Sequence, residues 1–291
     1  MHTRALAHLR AADEALFGGK SASLGELIAA GIPVPPGFAL SSAAGEGELD
    51  EAVARYRELG EPPVAVRSSA LGEDSAEASF AGLQDTYLWV LGAERVRDAI
   101  RRCWASLHNP EGVAYRERLG GPPPAMGVTV QRMVDAVVSG VMFTCNPVSG
   151  DPSTVAVNAS WGLGLAVVGG EVTPDEYRVS KVTGEVLHRS VGPKEIEYRP
   201  GADGPERREV EAERRGVACL DDERLTALLE LGRRVEAHFG GHQDVEWAID
   251  PAGELFVLQS RPVTVAPRQS APAKSAMQLV MGTFGVNRDP S

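Results

Sequence analysis

A chain of 291 residues with 43% hydrophobic content is long enough for one large or two modest soluble domains. Its formal charge of −11 excludes a broad nucleic-acid-binding surface, so any anion site must be a local cluster of Lys and Arg in an acidic background. No uninterrupted apolar run approaches the about 20 residues of a membrane span, the N-terminus lacks a signal-peptide core, and the odd, widely spaced Cys103, Cys145 and Cys219 predict buried thiols in a reducing cytoplasm rather than a disulfide framework or zinc site.

Residues 13–31, DEALFGGKSASLGELIAAG, combine a glycine pair, a lysine and an amphipathic helix that Gly31 can end. Ser21 or Ser23 is the expected cap, and Leu24, Leu27 and Ile28 form the apolar stripe. Lys20 therefore stands at the positive end of a helix, where phosphate is favoured. The Walker A spacing is missing, and a solvated lysine at a helix start fits the same letters. A proline-rich turn leads into a short strand ending at Leu40, and a helix is predicted from about Glu48 to Leu59.

The stretch from Arg67 to Leu88, RSSALGEDSAEASFAGLQDTYL, carries more chemistry. The apolar run Val64 to Val66 delivers an arginine and two serines into an acid-rich loop of small residues, including Ser79 and Gly82, before a second strand from Thr86 to Val90. Small residues let a backbone come close to a ligand and offer its N–H groups to phosphate oxygens. An arginine at the mouth of such a loop supplies a permanently charged, planar fork. A surface hairpin with Arg67 paired to Glu73 or Asp74 fits equally well. A helix from about Ala93 to Leu107 and a shorter one from Glu111 to Leu119 follow, before the GGPPP break at 120–124.

From residue 126 the pattern changes to strands with short links: Met126 to Val130 running on to Val134, Ser139 to Thr144, Thr154 to Asn158, a strand ending at Val179, and Val186 to His188. That succession predicts an antiparallel sheet. Residues 192–216, rich in charge, Gly and Pro, read as an exposed connection. Asp221 or Asp222 caps an amphipathic helix reaching Phe239.

Two strands close the pattern, Gln243 to Ile249 and Leu255 to Pro262, joined by a turn at Asp250 to Gly253. Alternation puts Asp244 and Glu246 on one face, and Gln259 and Arg261 likewise. Two carboxylates and an amide oxygen are hard ligands suited to Mg²⁺, which takes its remaining ligands from water and phosphates. Arg261 beside them can neutralise phosphate charge. The competing reading is a surface hairpin with cross-strand Glu–Arg pairs.

Six blocks occur in a set order: GGKSASLGEL, P-x-GF, VAVRSSALGEDSAEASFAGLQDTYL, VQRMV…SGVMFTCNPVSGD, NASWGLG…VTPDEYRV and QDVEWAID…LFVLQSRPVT. In that order the chain resembles the N-terminal nucleotide-binding domain of the phosphoenolpyruvate synthase, pyruvate phosphate dikinase and rifampicin phosphotransferase family, over roughly residues 14–265. The resemblance implies an α+β, ATP-grasp fold in which two lobes hold ATP: residues 1–90 with a helical connection at 91–125, and residues 126–265, followed by a linker-like tail at 266–291.

It also implies roles. Lys20 and Arg67 match positions that contact ATP phosphates, and Ser79 to Gly82 matches the cover over them, with Thr86 beside the nucleotide. The run Gln131 to Val134, including Met133, matches the strand whose backbone meets adenine. Glu246 and Gln259 match Mg²⁺ ligands, Asp244 the nearby acid, and Arg261 a further phosphate-binding arginine. Lys20, Arg67 and Arg261 are the implied catalytic cations. The family's reaction passes phosphate to a histidine on a separate swivelling carrier domain, for onward transfer to pyruvate or another small acceptor. None of the six histidines here has the carrier's Thr-Ser-His setting, so the chain resembles the ATP-binding half of such an enzyme, acting with a carrier in cis or in trans. The alternative is a degenerate nucleotide sensor or partner module. Two departures stand out: 46 residues separate Lys20 from Arg67, fewer than in the relatives, and Leu165 stands where an acid commonly follows the W-G-L-G turn.

Overall fold

A computed structural model describes residues 2–70, 86–107 and 126–263. Among them the chain order is β1 (Thr3–Ala5), α1 (Gly19–Ala29), β2 (Gly37–Leu40), α2 (Leu49–Glu58), β3 (Val64–Ala70), β4 (Thr86–Val90), α3 (Ala93–Ser106), β5 (Met126–Arg132), β6 (Val138–Phe143), β7 (Thr154–Trp161), β8 (Asp175–Ser180), β9 (Val186–Ser190), β10 (Ile196–Pro200), β11 (Pro205–Glu209), α4 (Asp222–Phe239), β12 (Gln243–Ile249) and β13 (Leu255–Pro262). The expected α+β class with two sheet-based lobes is what the structure has. None of the described helices is long and apolar enough to cross a membrane. The helix expected at Glu111–Leu119, the GGPPP break and the tail lie outside the described residues.

The first sheet has the order β1-β2-β5-β3-β4 and every pairing in it is antiparallel. Its covered face packs Phe38, Leu40, Val64, Val66, Val128 and Val130 against Leu49, Ala52 and Tyr56 of α2 and Val96, Ile100 and Cys103 of α3. β5, placed by sequence in the second lobe, is the central strand of this first sheet, so the division expected at 125/126 falls after Arg132 instead. Period-two alternation says that a segment is a strand and leaves its partners open.

The second sheet, β13-β12-β6-β7-β8-β9, is likewise antiparallel, as the short links predict. α4 covers one face, burying Leu225, Leu228, Leu229 and Val235 against Val157, Tyr177, Val179 and Trp247. Each such side chain contributes roughly 1.5–3 kcal/mol by leaving water. The predicted cap of α4 is present, with Asp221 Oδ1 accepting from the Arg224 N–H at 2.8 Å. Residues 192–216 are not simply an exposed connection. They contain the ribbon β10–β11, and Lys194 is fully buried.

α1 ties the lobes together. Its Leu24 and Leu27 belong to the core of the second lobe. Ser21 Oγ lies 2.6 Å from Thr129 Oγ1 of the first sheet, and Ser23 Oγ donates to the Ser260 carbonyl of the second at 2.9 Å. Neither serine caps the helix. The cap position is Gly18, at φ +81°, where a Cβ would lie 2.2 Å from the Ser69 carbonyl oxygen. Only glycine accepts both that torsion and that approach.

Candidate functional site

The site lies where the β12–β13 hairpin faces β3 of the first lobe. The two strands form the predicted hairpin, and its register sets Asp244 opposite Arg261 and Glu246 opposite Gln259. Alternation sends Val245 and Trp247 into the core under α4, both with 0% exposure. That leaves Asp244 and Glu246 on the opposite face, toward the first lobe.

Arg67 meets them from the other side. It sits within β3, flanked by Thr86 of β4 and Thr129 of β5, rather than at a loop mouth as the sequence suggested. The strand runs on through Ser68 and Ser69 because both continue the ladder with β5. Arg67 Nη1 donates to Gln259 Oε1 at 2.9 Å and lies 3.4 Å from Glu246 Oε2. Residues 179 and 192 positions away in sequence thus share one guanidinium. The pairing with Glu73 or Asp74 falls on residues that are not described.

Lys20 completes the cationic side. It is the second residue of α1, and its Nζ donates to the Ser68 carbonyl at 3.1 Å, next to Arg67. At the same helix start, the Ser21 N–H donates to Ser69 Oγ at 3.3 Å. On the hairpin, Arg261 Nε donates to Asp244 Oδ2 at 2.8 Å. Burial holds the Asp244 carboxyl above the usual carboxylate range, with the Arg261 charge opposing it.

Several polar atoms here are buried without a hydrogen-bond partner among the described residues: Arg67 Nε, Asp244 Oδ1 and Gln131 Nε2. A native interior leaves few such groups, and three of them gathered at one cleft leave capacity there for a ligand, ion or water. No group of three or more His, Cys, Asp or Glu among the described residues forms a self-sufficient metal cage.

Gln131 is 2% exposed within β5. At the end of that strand, the Arg132 amide and the following Met133 amide are taken by the carbonyls of Pro36 and Pro63, each at 2.8 Å. Met133 and Val134 instead contribute side chains to an apolar cluster centred on Ala136, Leu163 and Ala248, joined by Trp89, Leu165 and Leu258. Leu165, flagged by sequence as the departure from an acid, is therefore part of an apolar wall. A cavity of about 850 Å³ opens beside this cluster, between β4 and α3 on one side and Leu165, Asp203 and Pro205 on the other. Thr86 lines it too, so the cavity and the Arg67 row share a strand. Ser79 and Gly82 lie outside the described residues. Sequence reading missed Trp89 and Leu258, because isolated apolar residues in strands carry no signal beyond core packing.

The family model described as pyruvate phosphate dikinase, AMP/ATP-binding domain, matches residues 46–280. Lys20 precedes that match, so its place beside Arg67 rests on the structure alone. A probable phosphoenolpyruvate synthase from Methanothermobacter thermautotrophicus is 39% identical over 93% of this chain and 47% of its own length. The phosphoenolpyruvate synthase of Pyrococcus furiosus is 33% identical over 92% of this chain and 44% of its own. The chain thus spans less than half the length of these relatives. Among solved structures, VanG D-Ala:D-Ser ligase from Enterococcus faecalis aligns with 84% of this chain and 52% of its own, at 13% identity and a TM-score of 0.43.

Proposed function

Because the chain belongs to the pyruvate phosphate dikinase AMP/ATP-binding domain family, we propose that it binds Mg²⁺–ATP between its lobes in an ATP-grasp-like manner. In this reading it passes a phosphoryl group to a histidine on a separate swivelling carrier domain, in the cytoplasm. The carrier then hands it to a small acceptor, and the names of the relatives make pyruvate the first acceptor to test.

The observation that carries the reading is the convergence on Arg67. A cation from one lobe rests on Glu246 and Gln259 of the other, with Lys20 and the Asp244–Arg261 pair beside it. Phosphoryl transfer asks the protein mainly for positioning and for positive charge around the phosphate oxygens. Lys20, Arg67 and Arg261 would supply that charge, and Thr86, beside Arg67 in the sheet, would touch the nucleotide. The cover over the phosphates is assigned to Ser79 and Gly82.

Glu246 and Gln259, with Asp244 next to them, would hold Mg²⁺. The fit is chemical: Mg²⁺ needs only one or two protein carboxylates when phosphates and water complete its shell, and Asp244 Oδ1 has no partner among the described residues. When bound, the ion neutralises charge on the transferring phosphate. Adenine would lie toward Met133 and Val134. With the Met133 amide held by Pro63 and the Val134 carbonyl accepting from the Ala136 amide, the base edge would be read by the Met133 carbonyl and the Val134 amide.

Two measurements test this. Mg²⁺–ATP should raise the unfolding midpoint of the native chain and leave Arg67→Ala and Glu246→Ala unmoved. With ATP labelled at the β- or γ-phosphate, label should then appear on the histidine of a supplied carrier domain. Binding without any transfer would favour a nucleotide sensor.

A further inference from the structure

Trp89 has a backbone torsion that a bulky side chain adopts only at a cost. Its φ is +57°, in the left-handed region. The cause is local. β3 and β4 pair Val64 with Val90 and Val66 with Tyr87, so Leu88 and Trp89 together face Ala65, and β4 carries one residue too many. A bulge of this kind turns a side chain away from its regular direction and is common beside active sites. Asn or Gly would occupy the position without strain. Strain of this kind persists where the surroundings enforce it, and it gathers at ligand clamps.

The indole is turned toward the interlobe space. Trp89 is half-buried, lines the 850 Å³ cavity with Leu165, and packs on the same cluster as Met133, Val134 and Leu258. Its place in the sheet matters as well. The row of Val90, Val64 and Arg132 lies three residues along β3 from the row of Thr86, Arg67 and Thr129. At about 3.3 Å per residue that is roughly 10 Å. A nucleotide with its phosphates at Arg67 spans that distance with its sugar and brings its base to the Trp89 end. An aromatic face there offers stacking, which every base accepts.

We propose that Trp89 is the residue on which the nucleobase stacks, a contact made to the base and not to the phosphates. This inference rests on the nucleotide-binding reading above.

The test compares wild type, Trp89→Phe and Trp89→Asn in the full chain, titrated with Mg²⁺–ATP and with Mg²⁺ and inorganic tripolyphosphate, which has no base. Trp89→Asn is expected to bind ATP about tenfold more weakly, to keep tripolyphosphate affinity within about twofold, and to unfold within about 4 °C of wild type. Trp89→Phe keeps a ring and should stay within about threefold of wild type for ATP. ATP, but not tripolyphosphate, should quench tryptophan emission in wild type, and Trp89→Phe should lose most of that quench. Undiminished ATP affinity in Trp89→Asn, or an equal loss for both probes, overturns the inference. If Trp89→Asn fails to fold, the quench in Trp89→Phe decides: a quench equal to that of wild type overturns it. A wild-type chain that binds tripolyphosphate but not ATP also removes it, whereas one that binds neither probe removes the nucleotide reading itself.

Discussion

Two charged clusters of the second lobe differ in how completely their polar atoms are satisfied. Around Asp175 in β8 nothing is left over. Its Oδ1 accepts from Lys194 Nζ and from the Gly192 N–H at 3.0 Å, and its Oδ2 accepts from the Tyr177 hydroxyl at 3.1 Å and the Cys219 N–H at 2.7 Å. Lys194 Nζ also donates to the Gly192 carbonyl at 2.7 Å. Both charges are fully buried, and the same burial pushes the Tyr177 hydroxyl and the Cys219 thiol well above their ordinary values. Around Glu246, by contrast, Arg67 spreads one nitrogen over two acceptors while its Nε, and Asp244 Oδ1, have no partner among the described residues. A saturated network fixes architecture, here the path from β8 through residues 192–194 to the start of α4. An unsaturated one keeps capacity for something that arrives.

Breaking the saturated cluster should have the largest effect on stability. Lys194→Met strands the buried Asp175 charge and is expected to cost about 3–5 kcal/mol by denaturant titration. Asp175→Asn combined with Lys194→Met should recover a good part of that loss, because neither charge is then stranded. A single variant as stable as wild type would mean that the network holds nothing.

The cleft should respond the other way. Arg67→Ala is expected to cost less intrinsic stability than Lys194→Met, since Glu246, at 26% exposure, stays in reach of water once the guanidinium is gone. It should nevertheless abolish the stabilisation by Mg²⁺–ATP, which in wild type reaches about 2.7 kcal/mol at one hundred times Kd. A large intrinsic loss with nucleotide stabilisation retained would reverse the comparison.

The smallest effect belongs to charges that water already satisfies. Asp203, at the tip of the β10–β11 ribbon, pairs with Arg95 of α3 at 2.6 Å, but its side chain is 85% exposed. Asp203→Ala should shift stability by less than about 0.5 kcal/mol. A larger shift in the unfolding free energy would show that this ribbon clamps the lobes.

Much of the cleft was legible in the sequence, and the saturated cluster was not. The β12–β13 hairpin declares itself through alternation around a turn, so the faces of Asp244, Glu246, Gln259 and Arg261 follow from period two alone. Lys194, in a run of charge, Gly and Pro, reads as solvent-exposed, because the acid that buries it lies 19 residues away on another strand. The cap of α1 was misread for a similar reason. Ser21 and Ser23 look like caps locally, but their hydroxyls are claimed by Thr129 and Ser260, and Ser69 leaves room only for glycine at residue 18. Sequence spacing reports local conformation well, and it is silent on which distant strand competes for a side chain.

Calorimetric titration of the chain with Mg²⁺–ATP, run in parallel on Arg67→Ala and Glu246→Ala, tests the central claim most directly. A single site in the native chain and no measurable binding in either variant is the predicted result. Equal binding by all three proteins would contradict a nucleotide site built on the meeting of Arg67 with Glu246.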